Sequence, residues 1–499
     1  TFNRDSSATR VGQNGLIQEV GFFGSDVLSG WDFTINWSTF GSATINDFNT
    51  FTTTSGAGIR LDGFLVVGKK YSMSISGSTS SQLDIKDYSN TNLYKSALSG
   101  TFDIKFQFVA TTTTGIYLRN SGAGTTDIDT FSVQEVTGDQ PRLNYDINAN
   151  GQVQSCPSLL LEGASTNLVT DSSDFSASSW GKNNLTITSN NSISPDGTLS
   201  ADLIVSNNAG TFLSDSIGVV DPSTFSVFVK NIDEQFIQLY SGASGNFYAN
   251  FDIKNNILGT KGSLTSESKI ENYGNGWYRL SAVFTGITAG SSVRIGYGRA
   301  IDSTWGDLNS STGGSVLLWG CQFEALSYPT SIIPTNGAIQ TRTIETCNLT
   351  PPSGLIGQTE GAIFFEINFS NTDGVSGAWS ISDNSSANRI TMNTTDFSST
   401  QFTLSVAQNY NSSSTKLASG NVTYIGNHKV AINYSGTTLK LFIDGVQADS
   451  VTTDGFGNYT KFYLAANQTG VGTDTRKFIK TYLYDTALTD AQLQTLTTL

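Results

Sequence analysis

Phe102-Asp103-Ile104-Lys105-Phe106-Gln107-Phe108 alternates between apolar and polar residues along its whole length, and that period of two decides the fold class. Successive side chains of an extended chain point to opposite faces, so this stretch makes a strand with one buried face. Tyr71-Ser72-Met73-Ser74-Ile75-Ser76, Phe225-Ser226-Val227-Phe228-Val229-Lys230 and Ala431-Ile432-Asn433-Tyr434 repeat the pattern. Clusters of Gly, Asn, Asp and Ser punctuate these runs, which is turn chemistry. Only Thr489-Asp490-Ala491-Gln492-Leu493-Gln494-Thr495-Leu496 reads as a helix, opening on a Thr or Asp N-cap. The expected class is therefore all-β, in tandem two-layer sandwiches.

Composition agrees. The 499 residues include 30 Phe, 18 Tyr and 7 Trp, and 37% are hydrophobic, which is enough for large cores. Charged residues are 14% of the chain against a norm of roughly a quarter, and a disordered chain would show the reverse balance. At roughly 100–200 residues per domain the length suggests about three domains. The net charge of −14 argues against nucleic acid as a partner, because phosphate binding needs clustered cations. No apolar run reaches the ~18 residues of a membrane span, so no membrane insertion is expected. Thr1-Phe2-Asn3-Arg4 carries no apolar signal-peptide core. The three cysteines, Cys156, Cys321 and Cys347, are widely spaced and suggest neither a disulfide framework nor a metal knuckle. His428 is the one histidine, so a Ser-His-Asp triad has a single candidate base and a histidine-rich zinc site is ruled out.

A weak internal duplication places the first boundaries. Ser29-Gly30-Trp31, 70–76, 102–110, Gly115-Ile116-Tyr117-Leu118-Arg119 and Ile128-Asp129-Thr130-Phe131-Ser132-Val133 recur in plan as Ser179-Trp180-Gly181, 225–230, Gly276-Trp277-Tyr278-Arg279-Leu280, Val293-Arg294-Ile295-Gly296-Tyr297 and Val316-Leu317-Leu318-Trp319. Each copy closes on an acidic residue, Glu135 or Glu324, and both read as jelly-roll sandwiches. A third block starts near Gly361-Ala362-Ile363-Phe364-Phe365-Glu366-Ile367, with a hairpin turn expected in 434–438. Four of the eight prolines (Pro329, Pro334, Pro351, Pro352) fall within 328–352, which reads as a linker or stiff arm.

Several motifs resemble bacteriophage structural proteins that carry carbohydrate-binding-module-like domains. They are Phe2-Asn3-Arg4-Asp5-Ser6-Ser7-Ala8-Thr9-Arg10-Val11 with Asn14-Gly15-Leu16-Ile17-Gln18-Glu19-Val20, Pro141-Arg142-Leu143-Asn144-Tyr145-Asp146, Leu159-Leu160-Leu161-Glu162 and Thr166-Asn167-Leu168. Ser194-Pro195-Asp196-Gly197-Thr198 and Asn275-Gly276-Trp277-Tyr278-Arg279 also match. The resemblance covers roughly 1–21 and 139–335, with the first sandwich as an insertion. Leu441-Phe442-Ile443-Asp444-Gly445 and Tyr484-Asp485-Thr486-Ala487-Leu488-Thr489-Asp490-Ala491-Gln492-Leu493 resemble laminin-G-like or concanavalin A-like sandwiches. The expected organisation is an anchoring segment at 1–21, an inserted jelly roll at 22–138 and a return of the anchoring segment at 139–168. A second, carbohydrate-binding-like jelly roll follows at 169–335, then a linker at 336–360 and a laminin-G/concanavalin A-like sandwich at 361–499.

Glycoside hydrolysis needs two carboxylates across the scissile bond. No Glu-X-Asp-X-X-Glu run occurs, Glu366 stands alone beside Asn368, and Asp84 and Asp87 fall on opposite faces of a strand. The chain is not expected to be an enzyme. Glycan binding needs exposed aromatic faces with amides and carboxylates nearby. The loop Asp302-Ser303-Thr304-Trp305-Gly306-Asp307-Leu308-Asn309 fits best, with Trp305 flanked by Asp302, Asp307 and Asn309. A plug over the sandwich edge is the competing reading of that tryptophan. Trp37 and Trp379 are weaker glycan-binding candidates, while Trp180, Trp277 and Trp319 read as core. No cofactor is expected. Structural calcium is compatible with the Asp- and Asn-rich loops, although no Asp-X-Asp-X-Asp-Gly loop occurs.

The resemblance implies a non-enzymatic component of a tailed bacteriophage virion, a fibre or spike adhesin on the particle exterior that binds host surface polysaccharide. It implies attachment to other virion proteins through the N-terminal segment and a homo-oligomer, a trimer by preference. A capsid or tail decoration protein (a head fibre) with a purely structural role is the alternative, and a polysaccharide depolymerase the third reading.

Overall fold

The decisive stretch lies within strand Leu93–Val109, which pairs antiparallel with Lys70–Asp87 so that Ile104 faces Ile75 and Phe106 faces Met73. Phe102, Ile104 and Phe108 are buried while Thr101, Asp103 and Lys105 are exposed, as the alternation requires. The computed structural model describes all residues except 1, 5, 112, 139, 218–220, 243–244, 288–291, 310–312, 351–353, 370–375, 396–400, 423–425 and 471–475. The chain is all-β, in stacked sandwiches, with one helix among the described residues. That helix, Asp490–Thr497, opens on a capping box at Thr489 and seats Leu493 against Phe364, Ala431 and Phe442. No helix is long and apolar enough to cross a membrane.

The first sandwich is a sheet bent on itself. Strand Lys70–Asp87 pairs with Gly124–Gly138 along its first half and with Ile116–Asn120 along its second, enclosing a core that includes Met73, Ile75, Leu118 and Phe131. In the second sandwich Ser223–Asn231 lies between Trp277–Phe284 and Ser315–Glu324. A six-stranded sheet faces these strands across Phe225, Leu239, Phe251 and Leu280. The sheets of the two sandwiches meet edge to edge where Asp103 pairs with Leu199.

The third sandwich packs two seven-stranded sheets around Trp379, Phe365, Ile390 and Leu441. Its hairpin turns at Gly436-Thr437, between Gly426–Ser435 and Thr438–Ile443. Some of its strands come from far away in sequence. Phe2–Asn3 pairs with Thr346–Leu349 at the edge of one sheet, and Arg142–Asn144 and Ser158–Leu161 extend the other. Residues 336–360, expected as a linker, therefore carry two strands, Gln340–Arg342 and Thr346–Leu349. The prolines of that stretch, Pro351 and Pro352, lie outside the described residues.

The segments 1–21 and 139–168 meet each other and residues 330–345 around a buried ionic cluster. Arg4, Arg142, Arg342, Glu162 and Glu345 are each at most 4% exposed. Arg4 donates to Glu345 at 2.8 Å and to the Val20 carbonyl at 2.9 Å. Arg142 grips Glu345 with both Nε and Nη2 and reaches Glu162 at 2.7 Å and the Thr9 carbonyl at 3.0 Å. Arg342 lies 3.1 Å from Glu162 and donates to the Gly163 carbonyl. Burial alone would raise the Glu162 carboxyl, but Arg342, Arg142 and the Ser331 donors outweigh it and hold it well below the usual carboxylate range. Above this cluster the hairpin Thr9–Val11 and Ile17–Glu19 lays Ile17, together with Ile332, over Phe228, Trp277 and Trp319 on the outer face of the second sandwich. That patch of the sheet is therefore covered on both sides.

Removing one partner of a buried, fully bonded pair leaves the other charge stranded, at a cost of about 3–5 kcal/mol. Glu345→Gln is expected to lower the urea midpoint accordingly, and more than Lys69→Gln, which breaks the surface pair Lys69–Glu135. Equal effects of the two substitutions in equilibrium unfolding would contradict this account of the cluster.

Candidate functional site

The loop carrying Trp305 leaves strand Ser292–Tyr297 and closes on itself through the bridge Gly298↔Leu308. Core residues Val293, Ile295 and Tyr297 alternate with Ser292, Arg294 and Gly296 on the other face, so the loop folds back over that outer face. Gly296 makes room for it, since a Cβ there would lie 2.6 Å from a Leu308 methyl. Gln238, buried on the neighbouring strand, donates to the Thr304 carbonyl at 2.9 Å and accepts from the Gly306 amide at 2.8 Å. Asn250 donates to the Ser303 carbonyl at 2.6 Å. Buried amides thus stitch the loop to the sheet.

Trp305 is half-buried. Its indole N–H donates to the Ser241 carbonyl at 2.7 Å, and its ring stands edge-on to Tyr240 at 5.9 Å and 90°. Beyond Tyr240, the Arg294 guanidinium lies 5.7 Å from the tyrosine ring and 4.9 Å from Phe212, with its Nε on Ser292 Oγ at 3.1 Å. At the other end of strand Phe236–Ser241 from Trp305 lies a cleft of about 430 Å³, lined by Glu234, Phe236, Arg299 and Asn309 among others. Arg299 pairs with Asp307 at 3.0 Å, which joins cleft and loop. Asn309 donates to Glu234 at 2.9 Å. Asp302 is exposed on the same loop. Four of the sequence-derived candidates, Asp302, Trp305, Asp307 and Asn309, thus lie on or beside this loop, with Trp305 at the Ser241 end of the strand and Asp307 and Asn309 towards the cleft at its Phe236 end.

Trp37 and Trp379 are corrected. Trp379 is fully buried in the third core, stacked on Phe365 at 5.0 Å, and Trp37 is 9% exposed in the first core against Phe33 at 5.0 Å. Neither can present a face to a sugar. Asn36, just before Trp37, adopts a left-handed turn (φ 62°), and the indole that follows is buried. Trp180, Trp277 and Trp319 are core residues, as read. Arg294, Phe212, Gln238 and Glu234 were missed; the signal for the first three was their place on the outer phase of strands whose other phase is core, and Glu234 lies in the turn before strand Phe236–Ser241.

The carboxylates near the cleft are committed to local bonds. Glu234 accepts from the Gln235 and Phe236 amides at 3.0 and 3.3 Å as well as from Asn309. Burial raises its carboxyl against these donors. Asp84 and Asp87 separate as expected: Asp84 meets Arg119, while Asp87 caps the turn at Thr91 and Asn92. Glu366 pairs with Lys480 at 3.0 Å. His428 is fully buried, bonded to Asp444 at 2.7 Å and flanked by Phe369 and Phe402. Among the described residues no group of three or more His, Cys, Asp or Glu side chains gathers as a metal site, and the three cysteines are free thiols.

No family model matches the chain, and no curated protein matches it. Solved structures that resemble it include the Ruminococcus gnavus IT-sialidase CBM40 bound to α2,3 sialyllactose, at 14% identity over 29% of this chain and 84% of that one, TM-score 0.24. The mouse laminin α1 chain domains LG4-5 align at 12% identity over 69% and 92%, TM-score 0.20. The Bacteroides ovatus xyloglucan PUL GH43B aligns at 9% identity over 98% and 100%, TM-score 0.21. The sandwich architecture itself stands on the strand pairing described above.

Two buried acids of the second sandwich make a pH test. Burial pushes Asp202 up to about 7 against the amide bonds from Asn190 and Phe175, and pushes Asp215 up to about 6, with Asp171 adding to the effect. Both hold a proton more tightly folded than unfolded, so their contribution is complete below their unfolded pKa and is lost as pH rises through the folded values. Glu162 has the opposite sign and loses its contribution as pH falls. The melting temperature is expected to peak near pH ~5 and to decline towards pH ~8. A profile flat or rising over that interval, followed by calorimetry, would contradict the assignment.

Proposed function

We propose that the chain is a non-catalytic glycan-binding component of a tailed bacteriophage virion, a fibre or spike adhesin that engages host surface polysaccharide. The observation that carries the binding half is Trp305. Its own N–H bond fixes the ring, which stays partly open to solvent, and a polar cleft lies at the other end of the same loop. A sugar presents C–H groups to an aromatic face and hydroxyls to amides and carboxylates, and a ring already immobilised loses little entropy when it binds. Asp302, Asp307, Arg299 and Asn309 supply polar partners in the same neighbourhood. A non-catalytic role is supported by Glu234, whose carboxylate oxygens are occupied by three neutral donors.

The virion half rests on the resemblance of 1–21 and 139–168 to phage structural segments. In this chain those segments turn Arg4, Ala8, Thr9 and Val20 inward, so attachment to other virion proteins falls to outward residues such as Gln13 and Asn14. A symmetric oligomer, a trimer by preference, would multiply weak sugar contacts through avidity. A second reading, a capsid or tail decoration protein, is favoured by the buried ionic cluster, which locks the sandwiches together as a rigid spacer would need.

Glycan-array screening followed by titration of the best ligand tests the binding half. Trp305→Ala is expected to weaken binding at least about tenfold. Trp305→Phe, which keeps a stacking ring but loses the N–H, is expected to fall between it and the parent. No release of reducing ends is expected from that polysaccharide. Unchanged affinity in Trp305→Ala, or steady release of reducing ends, would overturn the reading, and imaging of intact particles would show whether the protein lies on the virion exterior.

A further inference from the structure

The outer face of the first sandwich carries an arrangement of a different chemistry. Strands Ser38–Phe40, Ala57–Leu61, Ile116–Asn120 and the end of Lys70–Asp87 lie side by side. Their registers align Ser38, Arg60, Tyr117 and Lys86 in one row, and Phe40, Gly58, Arg119 and Asp84 in another. Ile59, Leu118 and Ile85 between them are fully buried in the core, so alternation turns both rows to the other face. Three cations and one acid thus share a face of a chain whose net charge is −14.

Arg60 is the centre of this face. Its guanidinium carbon lies 4.5 Å from the Phe40 ring centroid and 4.6 Å from that of Tyr88, which fixes the group by stacking. Its buried Nε finds no hydrogen-bond partner, and among the described residues no carboxylate pairs with it. Next to it in the row, Tyr117 is 1% exposed and its hydroxyl is also without a partner. Burial raises the Tyr117 phenol, against Arg119 and Arg60, so it stays a donor at neutral pH. Arg119 leans on Asp84 only loosely, at 3.5 Å, and Lys86 bonds to the neutral Asn90. Phe40 is 41% exposed and meets Tyr117 edge-on at 5.6 Å. Gly58 keeps the second row flat, since a Cβ there would lie 1.9 Å from the Leu118 carbonyl oxygen. A stacked guanidinium with unmatched donors beside an unmatched phenol is costly unless an anion completes it.

We propose that this face binds the carboxylate of an acidic saccharide, received by Arg60 and flanked by Lys86 and Arg119, with a pyranose ring lying against Phe40. The proposal goes beyond the Trp305 loop, which belongs to a different sandwich, and stands or falls separately. A nucleic acid is disfavoured because a polyphosphate track needs a longer run of cations than this one face offers. Arg60 and Lys86 are separated by two strand spacings, about 10 Å, which suits one charged sugar unit and its neighbours.

The test is titration calorimetry on the intact chain with three named probes: tetragalacturonate, a hyaluronate octasaccharide and an oligosialic acid. Each is paired with its carboxyl-reduced counterpart, and oligothymidylate serves as the phosphate control. At least one acidic probe is expected to bind, about tenfold or more better than its reduced form and with affinity that falls as salt rises. Arg60→Gln is expected to weaken that probe about tenfold, Arg119→Gln to weaken it less, and Lys480→Gln, which removes a surface cation of the third sandwich, to leave it unchanged. Melting curves confirm that each variant is folded, and Arg119→Gln keeps the test open if Arg60→Gln is not. Absence of binding to all three probes, equal binding of the reduced forms, parent-like affinity in both arginine variants, or tighter binding of oligothymidylate would each overturn the proposal. If the Trp305→Ala screen fails while this one succeeds, the glycan site lies on the first sandwich and not on the second.

Discussion

Three arginines and two glutamates buried at one junction are the constraint on which the rest of this structure depends. Arg4, Arg142, Arg342, Glu162 and Glu345 come from parts of the chain as much as 341 residues apart. A charge removed from water is costly unless its partner and most of its donors are met, and of these five side chains only Arg342 keeps a buried nitrogen, Nε, without a hydrogen bond. Backbone groups supply what the side chains do not: the Glu162 amide bonds to Glu345 at 2.9 Å, and the Thr9, Val20 and Gly163 carbonyls cap the arginines. The result is directional. Apolar packing alone would let the short segments slide, whereas forked arginine–carboxylate contacts fix one register for each.

That fixation has consequences at both ends of the molecule. It places the edge strands Phe2–Asn3 and Arg142–Asn144 on opposite sheets of the third sandwich, and it drops the Thr9–Val11 hairpin onto the second. On the outer aromatic face of the second sandwich, Ile17 and Ile332 pack with Phe228, Trp277 and Trp319, beside a cavity of about 410 Å³ that Phe228, Ile17 and Ile332 also line. What remains accessible lies on faces the junction does not cover, the Trp305 loop and the Arg60 rows. Both pair an immobilised side chain with open neighbours, one neutral and amide-rich, the other cationic.

Much of this was legible in the sequence, for a physical reason. Strand character depends on alternation over a few residues, so 71–76, 102–108 and 225–230 announced their buried phase locally. The Trp305 loop was legible because its tryptophan sits outside any alternating run. Burial of a lone tryptophan was not: Trp379 lies in strand Ser376–Ser382, and one of its two partners, Lys461–Leu464, is far off in sequence, so contacts invisible locally decide where the indole goes. The ionic cluster was illegible for the same reason. Arg142 and Glu162 appeared as parts of recognisable motifs, but nothing near Glu345 in sequence announces its partners. A proline-rich stretch read as a linker proved to be paired chain, because isolated short strands take their order from what they dock against.

Hydrogen exchange of the intact chain tests the central claim most directly. If the junction holds the segments as one unit, the amides of 9–11, 142–144 and 346–349 open together, with one free energy of opening, and Arg142→Met lowers all three while leaving Lys70–Asp87 as protected as before. Separate opening of these segments, or protection in the first sandwich falling in step with theirs, would contradict it.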